Sequence, residues 1–393
     1  MLFTTAQAFN LMSNLHRRTD MKNFTVALSL MLISFTTNAV DYCVTTSVEL
    51  VAALSDAQNN GQDDHIRIRT GHYQTTGGVP FTYYHQEDHD LVVSGGWTSF
   101  NQIGCFLQQG DPLDTTLDGG GTNGVLYLQN DTTSSASLTI SNMTINNGFT
   151  TQSNTGSGLE IYTVNNNFTG SVLVDQVLFM ANHGVNGAGF WYIGSGAVTV
   201  RNSVFAYNST DNGGGAAHLS MSAEADGVIF VNNTLIYNSS ASTSPSAANV
   251  GGLLLNMNWN NGDTPDALIA NNLFWYQDTF DFYVTFSGGN TMVYNNNYEN
   301  GNGLTADTAN NLSLPPNLEP QILNFTPAPG SPLNGKGLAM EHPLPLPTPF
   351  LDSWDHGTLD FDRGFTPRVA FGRVDIGAVE APWEGPIFAD GFD

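Results

Sequence analysis

The sequence predicts an all-β fold, a single-stranded parallel β-helix (β-solenoid) in which each coil stacks on the one before it. A unit of about 30 residues recurs, which is the length typical of stacked repeats. Each copy has hydrophobic residues at alternate positions on both sides of one amide, and no copy has a helical period. A unit this short cannot bury its own apolar face, so its copies must stack, with strands about 4.8 Å apart.

The repeated unit is recognised by an amide side chain that stays in register. The copies read LTISNMTINN (138–147), LVDQVLFMAN (173–182), TVRNSVFAYN (199–208), IFVNNTLIYN (229–238), LIANNLFWYQ (268–277) and MVYNNNYEN (292–300). The aligned amides are Asn142, Gln176, Asn202, Asn232, Asn271 and Asn295. An inward amide at a tight corner can bond its own turn and its equivalents above and below. We expect these residues to form a structural ladder at one corner.

A large apolar residue close to the end of four copies is predicted to fill the core. These residues are Phe179, Phe205, Leu235 and Phe274. Each precedes, by three positions, a polar side chain that ends the strand, and glycines that permit a turn with positive φ follow. We therefore interpret the repeat as scaffold and not as a catalytic motif.

Residues 1–39 predict a secretory signal peptide. Lys22 precedes an apolar run at 26–35, and Thr37, Asn38 and Ala39 supply small residues at the cleavage positions. The run is too short to cross a bilayer as a helix, and no later segment is long enough, so no transmembrane segment is predicted. Residues 1–20 are either an extended n-region or the product of a start codon chosen too far upstream.

The composition is strongly acidic. The chain has 10 Lys and Arg against 35 Asp and Glu, with a formal net charge of −25. Nucleic acids and anionic lipids require clustered basic residues, so neither is an expected partner. The charge is compatible with a solvated acidic surface or with cation binding.

Residues 40–61 are predicted to form an N-terminal cap around one amphipathic helix. Thr46 and Glu49 have the spacing of a capping box, and Gly61 lies just past the expected end. The apolar stripe of this helix is predicted to be Val48, Leu50, Val51 and Leu54. HIRIR (65–69) and LVVSGGW (91–97) are expected to be the first strands of the β-helix.

The remaining boundaries follow from the cysteines and prolines. Cys43 and Cys105 are the only cysteines of a chain predicted to be exported, which favours a disulfide that pins the cap; metal ligation is the alternative. The β-helix is predicted to occupy residues 62–310. The proline-rich stretch 311–350 cannot continue the strand ladder, so 311–380 is predicted to be an irregular C-terminal cap that wraps the last coil. Residues 381–393 are a tail with a candidate sorting signal.

Several motifs resemble those of known families. FMAN…GAGF, FAYN…GGAA and LIYN…VGGLLL, within 120–300, are similar to the FxxN and GGA repeats of polymorphic outer-membrane proteins. PAPGSPLNGKG (327–337) and DFDRGFTPRVAFGRVDIGAVE (360–380) resemble bacterial choice-of-anchor Q proteins. The whole resembles the right-handed parallel β-helix of the pectate-lyase-like superfamily. The resemblance implies a secreted protein, or one on the outer surface of a Gram-negative bacterium, that acts as an adhesin or glycan-binding scaffold. The alternative is a polysaccharide-degrading enzyme.

The catalytic requirements that this resemblance implies are met only in part. A lyase needs an Arg or Lys base beside calcium-binding carboxylates, and Arg201 is the one such residue between positions 70 and 335. The alignment places Arg201 one coil from Asp175, where an ion pair is the alternative to a catalytic base. An inverting hydrolase needs two carboxyl groups about 6.5–9.5 Å apart. Asp175, Asp211 and Glu160 are the candidates.

Glu160 and Trp191 are predicted to share one outward position on neighbouring coils, in a row that continues through Ala217 and Leu254. An exposed aromatic ring beside a carboxylate would suit a sugar. This makes a polysaccharide or a cell-surface glycan the expected partner. The alternative is that Trp191 packs beneath the loop 241–250.

His218 and an acidic cluster are two further candidates. The alignment puts His218 level with Ile161, Tyr192 and Leu255, so we expect a core histidine and, as the alternative, a general base. No cofactor is predicted, with calcium as the alternative. The residues that favour calcium, although without the spacing of an EF-hand loop, are Asp352, Asp355, Asp360 and Asp362.

Overall fold

The computed structural model of the protein describes most of the chain that follows the predicted signal peptide. It describes residues 39–381, except for 101–102, 131, 153–154, 164–167, 223–226, 243–248, 258–265, 287–290, 303–306, 320–323 and 339–373. The signal peptide and the sorting tail are thus predictions for residues that lie almost wholly outside the described part. Within the described part, no helix has the length and apolar composition needed to cross a membrane.

The described chain is almost entirely β-structure. The first elements are β1 (Val40–Val44), α1 (Ser47–Asp56), β2 (Asp64–Arg69), β3 (Gly71–Gln74), β4 (Phe81–His85), β5 (Leu91–Phe100), β6 (Ile103–Gln108), a 3₁₀ turn (Pro112–Asp114), β7 (Thr115–Asp118) and β8 (Leu126–Asn130). The middle coils contain β9 (Leu138–Asn146), β10 (Leu159–Thr163), β11 (Ser171–Met180), β12 (His183–Asn186), β13 (Phe190–Gly194), β14 (Ala197–Arg201), β15 (Val204–Ala206), β16 (Ser209–Gly213) and β17 (Ala217–Met221). The last coils contain β18 (Gly227–Val231), β19 (Thr234–Ile236), β20 (Ser239–Ser240), β21 (Val250–Met257), β22 (Asp266–Ala270), β23 (Leu273–Trp275), β24 (Phe280–Phe286), β25 (Thr291–Tyr294), β26 (Gly301–Asn302) and β27 (Asp307–Ala309).

These strands stack into three sheets. A 16-stranded sheet follows the order β1-β2-β5-β9-β11-β14-β18-β22-β25-β27, with further strands attached beside this path. An 8-stranded sheet has the order β26-β24-β21-β17-β13-β10-β8-β4, and a 3-stranded sheet joins β12, β16 and β20. Consecutive members of each stack are one coil apart in the chain and parallel. The predicted fold class, an all-β right-handed parallel β-helix, is confirmed.

The core is built from equivalent side chains of successive coils. In the 16-stranded sheet Val174 pairs with Val200 and Val200 with Phe230, and all are fully buried. Phe179 and Phe205, which were predicted to fill the core, stack at 4.6 Å between ring centroids. Each coil therefore buries its apolar face against its neighbours, as a unit of this length requires.

The predicted amides all lie at one corner of the coil, in the left-handed backbone region. Their φ angles lie between 49° and 58°. Asparagine tolerates this conformation better than most residues. The register of the strands that lead into the corner holds the amides at equivalent positions. Asp175, which precedes Gln176, pairs with Ser141 on one neighbouring strand and with Arg201 on the other.

The hydrogen-bonded ladder, however, lies one residue later than predicted. Asn272 accepts from the backbone and side chain of Asn233, and it donates to Asn296 and to the carbonyl of Phe230. Asn311 continues this ladder. The same bonding joins a second ladder at the next corner, formed by Asn182, Asn208, Asn238 and Gln277.

At the predicted position one amide bonds its equivalent on the next coil, since Asn271 donates to Asn232, and the others have varied partners. Asn142 donates to the carbonyls of Gly95 and Gln109, and Asn202 donates to Asp175. Asn271 exchanges hydrogen bonds with the backbone of Leu338 in the C-terminal segment, and Asn295 donates to the carbonyl of Lys336. A residue with positive φ turns its side chain out of the coil, which leaves the next residue to point inward.

The N-terminal cap has the predicted capping box but a different buried face. Thr46 accepts from the backbone of Glu49, whose carboxylate accepts from the Thr46 backbone. The helix buries Leu50, Ala53 and Leu54, whereas the predicted stripe residues Val48 and Val51 are 78% and 52% exposed.

A strand that the sequence did not suggest, β1, precedes this helix and pairs with β2. The predicted disulfide is confirmed: Cys43 on β1 is bonded to Cys105 on β6, with 5.5 Å between their Cα atoms. The disulfide therefore ties the first strand of the sheet to the hairpin formed by β5 and β6.

The sequence predicts that the C-terminal segment wraps the last coil. In the structure its apolar residues pack along the side of the β-helix, against earlier coils. Its residues Phe325, Leu333, Ile376, Ala378 and Val379 pack on the outer surface of β15, β19 and β23. The backbone of Ala378 donates to Thr234, on a coil well before the end. The outward apolar side chains of these strands are thereby removed from water.

Candidate functional site

The outer face of the 8-stranded sheet carries a row of unlike side chains. Strand pairing sets Tyr127 beside Glu160, Glu160 beside Trp191, and Trp191 beside His218. Leu254 follows His218 in the same row. The pairing of Glu160 with Trp191 is the arrangement that the sequence alignment suggested.

His218 takes the place in this row that the alignment gave to Ala217. Ala217 is fully buried and pairs with the core residue Phe190, so His218 points outward and is not a core histidine. The cause is a register shift between β12 and β16, which lies between Gly184 and Asn186. One additional residue in the later coil displaces every following position by one.

Three adjoining cavities follow the row. The first, of about 430 Å³, is lined by Tyr127, Phe149, Thr155, Gly156 and Glu160 among others. The second, of about 480 Å³, is lined by Tyr127, Glu160, Tyr162, Asn186, Trp191, Ile193, His218 and Ser220. The third, of about 250 Å³, includes Asn186, His218, Leu254, Asn256 and Thr285. Shared lining residues join them into one groove along the stacking direction, and we call this the sheet groove.

Trp191 lies in the wall of the sheet groove and is not an open platform. It is only 5% exposed, and its ring stacks on Tyr162 at 6.4 Å between centroids. A Cβ atom on Gly156 would approach the Cβ of Trp191 to 2.7 Å, so glycine allows that loop to lie against the indole. The open aromatic surface of the groove belongs to the half-buried Tyr127 and Tyr162.

Glu160 is a half-buried carboxyl group at the junction of the first two cavities. Burial raises its pKa from the usual 4.5 to about 7, and a hydrogen bond of 3.1 Å from the Gly156 backbone amide to Oε2 opposes this rise. Close to neutral pH the group is therefore present in both protonation states. It can donate or accept a hydrogen bond, or transfer a proton.

His218 joins the second cavity to the third. Both ring nitrogens are shielded from solvent and have no hydrogen-bond partner among the described residues. Burial lowers the pKa of the imidazole to about 4, so the ring is neutral at physiological pH. A neutral imidazole has one donor and one acceptor nitrogen. The residue lines the second and third cavities, and both of its nitrogens lie just beneath the cavity surface without a partner among the described residues.

Asp175 and Arg201 lie on the 16-stranded sheet, away from the sheet groove. Arg201 donates to Asp175 Oδ2 through Nε at 2.9 Å and Nη2 at 2.7 Å, and Asn202 donates to the other carboxylate oxygen. Both charged groups are thus already engaged in a mostly buried ion pair. This geometry fits a structural role.

Asp211 lies on the third sheet, so the structure does not bring it together with Asp175 and Arg201. Its nearest basic partner is His183, at 3.9 Å, and half of its side chain is exposed.

Among the described residues, no group of three or more His, Cys, Asp or Glu side chains could hold a metal ion. The acidic cluster considered for calcium, Asp352 to Asp362, lies outside the described part of the chain.

Sequence reasoning missed Tyr127, Tyr162 and Asn186. Tyr127 and Tyr162 alternate with buried leucine and isoleucine in LYLQN (126–130) and LEIYT (159–163), which is the pattern of outward positions. Aligning these strands with the one that contains Trp191 would have placed both tyrosines in the groove. Asn186 lies at the register shift, where no alternation guides the alignment.

Comparison with known proteins gives no relative by sequence. No family model matches the chain. No characterised protein matches it in sequence. Its resemblance to polymorphic outer-membrane and choice-of-anchor Q proteins therefore stays a prediction.

Solved structures of other proteins also align with the chain. A crystal structure of pectate lyase Pel9A matches 89% of this chain and 98% of its own, with 13% identity and a TM-score of 0.37. A PL6 family alginate lyase, AlyGC, matches 69% of this chain and 38% of its own, with 15% identity and a TM-score of 0.30. Pectate lyase and alginate lyase activity belong to those two proteins. The β-helix assigned to the present chain rests on its own strand register.

Proposed function

We propose that the protein is a glycan-binding β-helix whose ligand lies in the sheet groove. The observation that carries the proposal is the outer row in which Glu160, Trp191 and His218 line adjoining cavities. Aromatic walls suit the apolar faces of sugar rings, while carboxyl, imidazole and amide groups suit their hydroxyls. Because the cavities follow one another across several strands, the groove suits a chain-like ligand.

We propose binding, and not turnover, as the role of this groove. Among the described residues that line the three cavities, Glu160 is the only carboxyl group. Glycoside hydrolysis uses two. Elimination from a uronate uses a cation, and Arg201 is engaged with Asp175 on another sheet. An adhesin or a glycan-binding scaffold requires neither arrangement.

A polysaccharide hydrolase is the second candidate, and one observation favours it. Burial holds the pKa of Glu160 at about 7, the value expected of a general acid that works near neutral pH. In this case Glu160 would protonate the leaving oxygen, and a residue outside the described lining would be the second carboxylate. Asp175 and Asp211 are less suitable, because they lie on other sheets.

The test measures retention and turnover on the same glycan panel. The purified protein is incubated, with and without calcium, with pectins, alginates and neutral polysaccharides; bound protein, new reducing ends and absorbance of unsaturated products are recorded. We expect retention without turnover. Turnover that Glu160→Gln abolishes would establish the hydrolase. Turnover that Asp175→Asn or Arg201→Ala abolishes would move the site to the other sheet.

Export to the outer cell surface is part of the proposal. A disulfide in a chain with a predicted signal peptide supports it, because such bonds persist in oxidising compartments. Fractionation of the producing cells, combined with protease treatment of intact cells, distinguishes an attached from a released protein. Recovery of the protein in the cytosol with a reduced cysteine pair would contradict export.

A further inference from the structure

The charges of the sheet groove restrict the kind of glycan that fits it. Among the residues that the structure describes, no lysine or arginine lines the three cavities. Arg67 binds Asp41, and Arg201 binds Asp175, both on the 16-stranded sheet. A uronate chain entering the groove would therefore find no described cation to compensate the charge on its carboxylates.

Glu160 adds a negative charge to this environment whenever it ionises. Tyr127 faces it from the preceding strand, Trp191 from the following strand, and Tyr162 follows it on its own strand. The Gly156 backbone donates to it from the adjoining loop. His218, two strand spacings or about 10 Å away, is neutral. A ligand carboxylate at this point would be repelled by Glu160 or would require its protonation.

His218 provides the favourable contacts that select a ligand rich in hydroxyl groups. Its donor nitrogen and its acceptor nitrogen both lack partners among the described residues, and both are shielded from water. A hydroxyl group can donate and accept, so a polyol satisfies either nitrogen. A carboxylate only accepts, so it can pair with the donor nitrogen and never with the acceptor nitrogen, which is unfavourable when the acceptor is buried.

We infer that the sheet groove binds a neutral, hydroxyl-rich glycan and discriminates against uronate chains. This inference rests on the proposed function and narrows it to a substrate class. His218 and Glu160 are its selecting residues, the first through hydrogen bonds with hydroxyls and the second through repulsion of carboxylates.

The experiment compares ligands that differ only in charge. Fully methyl-esterified oligogalacturonides and their de-esterified counterparts have the same sugar backbone, and neutral gluco- and galacto-oligosaccharides extend the set. Calorimetric titration of the full chain is done one pH unit above the pKa of Glu160, with calcium and with EDTA. We expect a neutral ligand to bind and its charged counterpart to bind at least about tenfold more weakly.

Variants assign this selectivity to the two residues. His218→Phe, which keeps the ring and removes both nitrogens, should weaken neutral binding about tenfold. Its matched control is His65→Phe, because His65 lies on the 16-stranded sheet and its partners Ser94 and Trp97 line none of the three cavities, so we expect unchanged affinity. Glu160→Gln should narrow the difference between charged and uncharged ligands.

The outcomes separate this inference from the proposal beneath it. Uronate binding as tight as neutral binding, with or without calcium, would overturn the inference and leave a glycan-binding protein. Neutral binding that His218→Phe does not change would move the ligand out of the sheet groove and overturn the inference. Absence of binding to every glycan would overturn both.

Discussion

The asparagine ladder offers the sharpest test of how the fold is held together. Asn272 is fully buried, and its amide makes hydrogen bonds to the Asn233 backbone N–H at 2.9 Å and to the Phe230 carbonyl at 2.8 Å. Asn272→Leu keeps the size of the side chain but removes its amide, so the Asn233 N–H and the Phe230 carbonyl both lose their hydrogen-bond partner. Each buried main-chain group that loses its partner costs about 1–3 kcal/mol. The free energy of unfolding should therefore fall by about 2–6 kcal/mol.

The control is Asn232, the corner residue of the previous coil. Asn232 has a φ of 57°, which glycine adopts readily, and its Oδ1 accepts one hydrogen bond, from Asn271. Asn232→Gly should cost about 1 kcal/mol, from the lost bond and the greater freedom of the unfolded chain. Urea unfolding followed by far-ultraviolet circular dichroism measures both variants. A midpoint for Asn272→Leu that is no lower than that of Asn232→Gly would refute the ladder.

Three further predictions concern other parts of the molecule. Cys105→Ser should lower the free energy of unfolding by about 4 kcal/mol, since the bond to Cys43 closes a loop of 62 residues; urea unfolding without reductant measures it, and an unchanged midpoint contradicts it. Because burial raises the pKa of Glu160 from 4.5 to about 7, the folded state keeps a proton that the unfolded chain releases. The bound proton contributes at most about 3 kcal/mol to the free energy of unfolding; this contribution is present below pH 4.5 and is lost as the pH rises through about 7. Between these pH values the unfolding midpoint should therefore fall less in Glu160→Gln than in the parent protein. Arg201→Ala should destabilise by about 1–3 kcal/mol, because Asp175 stays mostly buried without its cation, yet glycan retention should not change; loss of retention would place the ion pair in the binding site.

The sequence predicts the coil well and its corners less well, because alternation holds only along extended strands. In the first two copies Met143 and Val177 follow the corner amide, so only the corner position is amide in every copy. The alignment therefore selected that position. In the later copies the next residue, such as Asn233 or Asn272, turns inward, because the corner residue has positive φ.

The site was predicted in part for a related reason. Glu160 and Trp191 lie on regular strands, so their pairing could be found by alternation. His218 was displaced by one position because its own coil has one residue more than the preceding coil, at the register shift opposite Asn186. The burial of Trp191 depends on how Gly156 and its loop approach the indole, and no strand pattern contains that information.

The outer row of the 8-stranded sheet differs from the scaffold because its side chains are not repeated from one coil to the next. Inward positions and ladder asparagines recur, because each must stack on its own equivalent one coil away. Glu160, Trp191 and His218 occupy equivalent positions and differ in charge, size and polarity. Stacking of equivalent side chains does not explain this variety, whereas a ligand in the adjoining cavities would. His218→Phe should therefore weaken glycan retention and leave the unfolding midpoint at least as high, whereas Asn272→Leu should lower the midpoint and leave the groove intact.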